Sequence, residues 1–217
     1  MPEPALTSPT EDALASEIAA SSRKRPRPGE RRIQILQALA AMLETPGAER
    51  ITTAALAARL DVSEAALYRH FASKAQMFEG LIDFIEQSVF TLVQQIAARD
   101  VSGDARARQI VDMVLHFGEK NPGMTRVMVG DALVFEHERL QQRMNLFFDK
   151  IEAALRQNLR EVAPSLPDAS PTPDADAQVL ASLLTAFVVG RLQRFARSGF
   201  RRLPSEHLER SLARMVA

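Results

Sequence analysis

The sequence contains no cysteine among its 217 residues, and this absence excludes several kinds of chemistry. Without cysteine the chain has no disulfide bond, no thiolate metal site and no cysteine nucleophile, which fits a reducing cytoplasm. Net charge is also missing, because 27 Lys and Arg residues balance 27 Asp and Glu residues. A function in nucleic-acid binding therefore requires that basic residues be concentrated in one place.

Segments that would direct the chain to a membrane are missing as well. The N-terminus has acidic residues and prolines where a signal peptide has a basic segment followed by an apolar one. The longest apolar run, VLASLLTAFVVG at 179–190, is shorter than the roughly 20 residues that a membrane-spanning helix needs. We therefore expect a cytoplasmic protein without a membrane partner and interpret the run as a buried helix.

The motifs of common enzyme classes are absent too. The sequence has no GxGxxG, P-loop, GxSxG or HExxH pattern. Asp112 and His116 stand four residues apart and could form a metal pair, but such a pair is more often a surface hydrogen bond. We expect neither enzymatic activity nor a bound metal or cofactor.

Apolar residues recur at three- and four-residue steps, and no stretch shows the sustained two-residue alternation of a β-strand. The pattern therefore predicts an all-α fold. The first helix begins near Arg31 and ends before TPG at 45–47. Thr52, Ser63 and Ser73 are predicted N-caps of the next three helices, and Gln76 completes a capping box with Ser73. The later helices are predicted at about 104–120, 123–130, 131–137, 138–162, 174–198 and 205–215.

The first 29 residues differ in composition from the rest of the chain. Residues 1–22 carry four acidic residues and no basic one, and residues 23–32 carry six basic residues and one acidic one. We interpret 1–29 as a disordered acidic and basic arm in which Arg25 and Arg27 contact a polyanion, or as a solvated linker. The remaining chain is predicted to contain a DNA-binding domain at 30–75 and a helical regulatory and dimerisation domain at 76–217.

The stretch ITTAALAARLDVSEAALYRHFASK at 51–74 is typical of a helix-turn-helix. Its second helix begins with small residues that permit close approach to base edges in the major groove, and a methyl group there can touch a thymine methyl. Hydroxyl and backbone N–H groups at the start of the first helix can bind phosphate, and the polar cluster after the second helix can hold the backbone. The candidate DNA-binding residues in this stretch are Thr52, Thr53, Ser63, Glu64, Ala65, Ala66, Tyr68, Arg69, His70 and Lys74.

This stretch, extended to ITTAALAARLDVSEAALYRHFASKAQMF, resembles the DNA-binding domain of the TetR family across residues 33–80. Asp61 stands where the turn often has Gly, and Asp tolerates the left-handed conformation better than most residues. Ala72 stands where Pro is common. The resemblance implies a TetR-like fold with a three-helix DNA-binding domain and a helical bundle behind it.

Further segments, among them FGEKNPGMTRV and ALVFEHERLQQRMNLFFDKIEAALRQNLRE, resemble the nucleoid occlusion branch of that family. The resemblance implies a nucleoid-associated protein that binds palindromic chromosomal sites and, when bound to DNA, antagonises polymers of the division GTPase FtsZ. It also implies a groove for the C-terminal tail of FtsZ, in which we place Phe84, Met113, His116, Lys120 and Asn121. Phe84 and Met113 could instead belong to the core, and small residues are more usual in this branch at the position of His116.

A TetR-like protein forms a homodimer through its last two long helices and binds DNA as that dimer. The resemblance therefore implies a dimer interface on the last two long helices of this chain. The apolar faces predicted to form it contain Leu180, Leu184, Phe187, Val188, Phe147 and Ile151, although part of each face must also serve the core. Two other functions stay open from the sequence. The chain could be a ligand-responsive repressor with a small-molecule pocket in its bundle, or a helical interaction protein without a role on DNA.

Overall fold

The computed structural model describes residues 29–45, 51–165 and 169–216, and within these ranges the chain is helical and contains no β-strand, which confirms the all-α prediction. The helices are α1 (Glu30–Leu43), α2 (Thr53–Arg59), α3 (Glu64–Tyr68), α4 (Lys74–Ala97), α5 (Gly103–Lys120), α6 (Pro122–Met128), α7 (Glu138–Leu159), α8 (Pro173–Arg197) and α9 (Leu208–Met215). Short 3-10 turns at Asp131–Leu133 and Ala163–Ser165 precede and follow α7. The predicted arm at 1–29, with Arg25 and Arg27, lies outside the described residues except for Gly29.

Helices α1, α2 and α3 form a small unit around its own apolar side chains. The buried residues of this unit include Ile35, Leu39, Leu43, Leu56, Leu67 and Phe71. Arg32 joins α1 to the end of α3, because its guanidinium lies 4.1 Å from the centre of the Phe71 ring and donates to the His70 carbonyl at 3.1 Å. Asp61 has a φ of 52°, so the predicted tight turn between α2 and α3 does use the left-handed conformation without glycine.

The long helices α4, α5, α7 and α8 form a bundle with a continuous apolar core, and α7 and α8 are in extensive contact. Phe147 of α7 is fully buried at its centre, with ring centroids 5.4 Å from Phe90 and 5.1 Å from Phe148. Such tilted and edge-on aromatic pairs stabilise a core beyond the apolar area they bury. The bundle is therefore a rigid support for whatever its outer faces contact.

Helix α6 connects the bundle to the three-helix unit. A Cβ atom on Gly123 would lie 2.1 Å from the carbonyl oxygen of Ala40, so only glycine permits this approach of α6 to α1. Arg126 is buried and donates to the Leu43 carbonyl at 3.3 Å and to the Asp131 carboxylate at 2.7 Å. The last turn of α1 is thus held by backbone contact and by a buried cation.

Two helix predictions differ from the structure. The helix predicted over 131–137 is wrong, since only Asp131–Leu133 forms a 3-10 turn after Gly130, and Val134 and Phe135 are exposed. His137 then caps α7 by accepting the Arg139 N–H at 3.3 Å, so too few residues remain for a helix of their own. The final helix begins at Leu208 rather than near 205, because His207 has a φ of 56°, outside the α-helical range.

The predicted dimer interface also needs correction. Four of its residues are 0% exposed within the single chain and thus belong to the protomer core, namely Leu184, Val188, Phe147 and Ile151. Leu180 and Phe187 are partly buried against the same core. Helix α8 is apolar around most of its circumference, so its periodicity does not show which side faces inward. The apolar side chains that α8 exposes are Val179 and Leu183 instead.

Helix α8 is long and apolar enough, by length and composition alone, to cross a membrane. This finding extends the sequence analysis, where only the central run at 179–190 was considered. One side of the helix is occupied by the bundle, since its buried residues are Ala177, Ala181, Leu184, Thr185, Val188, Leu192 and Phe195.

Candidate nucleic-acid interface

The start of α2 is fixed by the side chain that precedes it. The Thr52 hydroxyl accepts the backbone N–H of Ala55 at 3.1 Å, which confirms Thr52 as an N-cap. Thr53 follows it and donates to the Glu64 carboxylate at 2.5 Å. This hydrogen bond joins the first residue of α2 to the first residue of α3, so the two helices of the motif are held together at their polar ends.

Helix α3 exposes the side chains that the sequence assigned to DNA. The Ser63 hydroxyl caps it by accepting the Ala66 N–H at 3.3 Å. Glu64 and Ala65 are exposed, Ala66 is half-buried, and Leu67 anchors the helix in the core at 1% exposure. The outer side of α3 therefore has no long apolar side chain at its start, and a flat surface can come close to its backbone.

The polar cluster that follows α3 is also exposed. Tyr68 is 45% exposed, and Arg69 and His70 are exposed beside it. Tyr68 and Glu64 are the only residues of α3 with a polar side chain, because the helix reads Glu-Ala-Ala-Leu-Tyr. These two groups, together with Thr52, Ser63, Arg69 and His70, make up a surface of donors and acceptors on one side of the three-helix unit.

Lys74 has a partner that the sequence analysis did not identify. Its ammonium group forms an ion pair with Glu136, in the turn before α7, and lies 5.6 Å from the centre of the Phe78 ring. Its side chain is 19% exposed. Lys74 is therefore a paired cation at the junction between the motif and the bundle, and contact with a phosphate requires it to exchange or share its carboxylate partner.

Further along α4, ion pairs join this helix to α7. Arg143 of α7 donates to Asp83 at 2.6 Å and to Glu86 at 2.7 Å on α4. The hydrogen bonds that Arg143 donates to Glu86 and Asp83 raise its pKa above the usual value, so it stays charged. Helix α4 is consequently fixed against α7 along the length that leads away from the motif.

Phe84 is the predicted groove residue on α4, and the other four lie on the adjacent α5 or directly after it. The two helices are antiparallel neighbours, and Phe84 and His116 are each 13 residues from the loop that joins them, so they lie at about the same level. Phe84 is 49% exposed, Met113 is half-buried, and Lys120 is exposed at the end of α5. Phe84 is thus not a core residue, and that alternative is wrong for this position.

The polar residues predicted for this groove make local contacts. Asn121 donates to the Phe117 carbonyl at 2.7 Å, and the His116 ring nitrogen lies 3.1 Å from the Asp112 carboxylate. The same ring nitrogen forms its hydrogen bond with the Asp112 backbone carbonyl at 3.0 Å, so the two residues interact on the surface as their spacing allowed. In the described part of the chain no three His, Cys, Asp or Glu residues are grouped in a way that could hold a metal ion.

The structure adds two functional candidates that the sequence analysis missed. Leu92 is 38% exposed two helical turns beyond Phe84 on the same side of α4, and this spacing of eight residues could have identified it. Leu146 of α7 is 57% exposed, together with Val179 and Leu183 of α8. Isolated exposed apolar residues are common, but three on adjacent helices form a patch suited to a partner.

Comparison with known families agrees with this arrangement. A family model described as "Bacterial regulatory proteins, tetR family" matches residues 35–81, and one described as "Tetracyclin repressor-like, C-terminal domain" matches residues 103–216. The fold and the exposed motif thus define a DNA-binding regulator of the TetR class.

Curated relatives identify the branch within this class. The nucleoid occlusion factor SlmA of Idiomarina loihiensis is 51% identical over 177 residues, which cover 82% of this chain and 89% of the relative. The SlmA protein of Photobacterium profundum is 51% identical over 180 residues, covering 82% of this chain and 90% of the relative. The chain belongs to the SlmA family of nucleoid occlusion factors.

Solved structures show the same fold at low sequence identity. A TetR-family transcriptional regulator from Bordetella parapertussis has a TM-score of 0.67 at 19% identity, covering 87% of this chain and 95% of its own. FadR from Bacillus subtilis, solved in complex with stearoyl-CoA, has a TM-score of 0.66 at 12% identity, covering 85% of this chain and 97% of its own. These likenesses concern the fold alone.

Proposed function

We propose that this protein binds palindromic chromosomal sites as a homodimer and, when bound to DNA, antagonises FtsZ polymers, so that no division septum assembles over the nucleoid. The observation that carries the proposal is the exposed polar surface of α2 and α3, together with membership of the SlmA family. Such a protein acts in the cytoplasm on the nucleoid and needs no catalytic group.

The DNA contact follows from the geometry of the motif. Helix α3 enters the major groove with Ala65 and Ala66 toward the base edges, where small side chains allow close approach. The hydroxyl groups of Thr52 and Tyr68 lie on either side of it and bind phosphate oxygens, which fixes the position of the helix on the duplex. Glu64 is an acceptor only, so it selects a cytosine or adenine amino group over a guanine edge.

The dimer contact is the face that the protomer leaves uncovered. Val179 and Leu183 of α8 lie four residues apart, and Leu146 of the adjacent α7 is exposed as they are. Gly190 lies farther along α8 with no heavy atom within 4 Å of a Cβ built on it, so its space is open to another helix. A two-fold contact through this face gives each dimer two motifs, and a palindromic site is the DNA arrangement that matches them.

The partner for the groove between α4 and α5 is a short apolar and acidic peptide, which we identify as the C-terminal tail of FtsZ. Phe84, Met113 and Leu92 provide apolar contact, and Lys120 provides a cation at one end. Asn121 presents polar atoms beside Lys120, and His116 lies on the rim. A groove of this kind takes a peptide in helical or extended form.

A second candidate function is repression controlled by a small ligand. It is favoured by the structural likeness to FadR, which was solved with stearoyl-CoA. A ligand pocket has apolar walls and a few converging polar groups. A surface cavity of 430 Å³ between α5 and the α9 region has a mixed lining, in which Leu208 is accompanied by polar and charged residues such as Asp112, His116 and Arg210.

The experiment is a pull-down with FtsZ, with and without a duplex that the protein itself selects from randomised sequence. We expect FtsZ to be retained, and more of it when the selected duplex is present. If the protein binds the duplex but retains no FtsZ with or without it, the result would contradict the division function and favour the repressor. Failure to select any duplex would contradict both functions.

A further inference from the structure

The end of α8 carries an arginine cluster that the sequence analysis did not single out. The twelve residues RLQRFARSGFRR at 191–202 contain five arginines and no acidic residue. We define the α8 arginine cluster as Arg191, Arg194, Arg197, Arg201 and Arg202. Four of these are exposed, and Arg191 is half-buried. This is as large a local positive charge as the basic arm at 23–32 carries.

The cluster differs from the other arginines of the bundle in having no carboxylate partners. Each arginine from 106 to 160 forms an ion pair, namely Arg106, Arg108, Arg126, Arg139, Arg143, Arg156 and Arg160. Among the described residues no carboxylate pairs with any member of the cluster. Arg191 and Arg201 donate only to carbonyl oxygens, those of Glu206 at 2.5 Å and Ser198 at 2.9 Å.

The acidic residues that border the same cavities as the cluster form no ion pair with it. Asp131 borders the same 180 Å³ cavity as Arg197, but its carboxylate accepts from Arg126. Glu206 lines a second small cavity with Arg191, Arg194 and Arg202 and offers its backbone carbonyl to Arg191. Arginine heads left without carboxylates fit an external anion, and their forked donors match phosphate oxygens.

A chain of contacts places the cluster at the DNA-binding end of the bundle. The cavity beside Arg197 is also lined by Val134, two residues before Glu136, and Glu136 pairs with Lys74 at the first turn of α4. Lys74 lies six residues after Tyr68 of the motif. From the other side, Arg126 of α6 reaches the end of α1. The opposite end of α8, at Pro173, is the end far from the motif.

The cluster also continues the exposed side of α8. Arg194 and Arg197 follow Leu183 by eleven and fourteen residues, which returns them to nearly the same side of the helix. If that side forms the dimer contact, the two copies of the cluster lie near the two-fold axis, above the DNA that separates the two half-sites. Like charges that meet there repel one another unless an anion lies between them.

We propose that the α8 arginine cluster is a second DNA contact, which binds backbone phosphates of the duplex between the half-sites without reading sequence. The proposal rests on the proposed function for its dimer geometry. It adds a contact outside the helix-turn-helix, made by the regulatory bundle itself. Because phosphates are the same in every sequence, the cluster strengthens binding to all duplexes evenly.

The test compares two double variants with the same change in charge. Arg194→Gln with Arg197→Gln removes two members of the cluster that make no ion pair with a described residue. Arg156→Gln with Arg160→Gln removes two arginines that pair with Asp174 at the far end of α8. Binding to a random-sequence duplex of about three helical turns is measured by fluorescence anisotropy over a range of salt concentrations.

We expect the slope of log affinity against log salt to become shallower by about two to four units for the cluster variant, since a dimer loses four cations at about 0.9 each. The control variant keeps the parent slope. An unchanged slope in the cluster variant, or the same change in both variants, would overturn the proposal. If the cluster variant keeps the salt slope of the parent on DNA but no longer binds an FtsZ tail peptide, the proposal is also overturned. The cluster would then be assigned to an acidic peptide.

The random duplex separates this proposal from the proposed function. If the parent protein selects no specific duplex, the nucleoid occlusion proposal fails, yet the slope on random DNA still tests the cluster. If the parent protein selects a duplex and acts on FtsZ while the cluster variant keeps its slope, only the second DNA contact is wrong.

Discussion

The DNA-facing surface and the groove between α4 and α5 are built in different ways. On the proposed DNA side, hydroxyl groups are held by defined hydrogen bonds. Thr52 accepts the N–H of Ala55, and Thr53 donates to the Glu64 carboxylate. In the proposed groove, Phe84 and Leu92 are exposed apolar side chains, and their position is set by the helix α4 that carries them. The first surface therefore suits the proposed rigid duplex, and the second suits the proposed flexible peptide.

Helix α4 connects the motif to the proposed groove, so the two proposed sites can be compared on one chain. Lys74 begins α4 beside the motif, and Phe84 lies ten residues along it. The ion pairs of Arg143 hold that stretch of α4 against α7. If the two surfaces are separate sites on a rigid helix, substitutions in one must leave the other intact.

The largest expected effect comes from removing the proposed dimer interface. Leu183→Glu puts a charge into the exposed apolar face of α8, and we expect a folded monomer by sedimentation. Affinity for a palindromic duplex should fall by about 100-fold or more, because two linked motifs gain that much from binding together. A folded dimer of this variant would place the interface elsewhere.

Leu184→Ala is the matched variant on the inner side of α8. It removes a fully buried side chain, so we expect it to reduce the free energy of unfolding by about 2–5 kcal/mol. The dimer should persist wherever the protein is still folded. Loss of the dimer without loss of stability would mean that Leu184 contacts a second protomer after all.

The next effect separates the groove from the motif. Phe84→Ala and Lys120→Asp should each weaken binding of an FtsZ tail peptide by about tenfold or more, since each removes an apolar or a charged contact of the proposed groove. Affinity for the selected duplex should stay within about 0.5 kcal/mol, because distant sites rarely couple. Calorimetry with the peptide and anisotropy with the duplex measure the two effects.

Phe135→Ala is the control for this pair. Phe135 is 66% exposed but lies in the turn before α7, outside the groove. Its removal should leave peptide binding unchanged. Equal losses from Phe84→Ala and Phe135→Ala would show that the peptide binds exposed phenylalanines without using the groove.

A smaller effect is expected at the motif itself. Thr52→Ala or Tyr68→Ala should weaken binding to the selected duplex by about 1–3 kcal/mol, the loss of one or two phosphate contacts. Thr52→Ser keeps the hydroxyl cap and should retain most of the affinity. Anisotropy against the selected and a random duplex measures these changes, and parent affinity in both alanine variants would remove the two residues from the site.

The smallest effect is expected at Lys74, because Glu136 already neutralises part of its charge. Lys74→Ala should make the salt slope shallower by about one unit if Lys74 contacts a phosphate. Glu136→Gln frees Lys74 from its carboxylate and should strengthen DNA binding slightly. No change in either variant would make the pair purely a joint between the motif and the bundle.

The local features of the motif could be predicted from the sequence because they depend on neighbouring residues. Thr52, Ser63 and Ser73 each precede an apolar periodic segment, and all three accept the predicted N–H groups. The Gln76 side chain accepts the N–H of Ala72 at 2.8 Å, whereas a capping box predicts that it accepts the N–H of Ser73, one residue later. Local sequence rules thus predicted the three N-caps correctly, and they placed the hydrogen-bond partner of Gln76 one residue too late.

Features that depend on distant residues could not be predicted in this way. Lys74 and Glu136 are 62 residues apart, and no periodicity connects them. The side of α8 that faces inward is decided by packing against α7, since α8 is apolar on both sides. The α8 arginine cluster was visible in the sequence as five arginines without an acidic residue, but only the structure shows that no described carboxylate neutralises it.

The most direct test of the account is filament light scattering with FtsZ, in which the parent protein, Tyr68→Ala and Phe84→Ala are compared with and without the selected duplex. We predict that the parent disassembles filaments only when the duplex is present, that Tyr68→Ala needs more duplex to do so, and that Phe84→Ala binds the duplex normally but leaves the filaments intact. Filament loss with Phe84→Ala equal to that of the parent, or no effect of the parent in the presence of the duplex, would contradict the account.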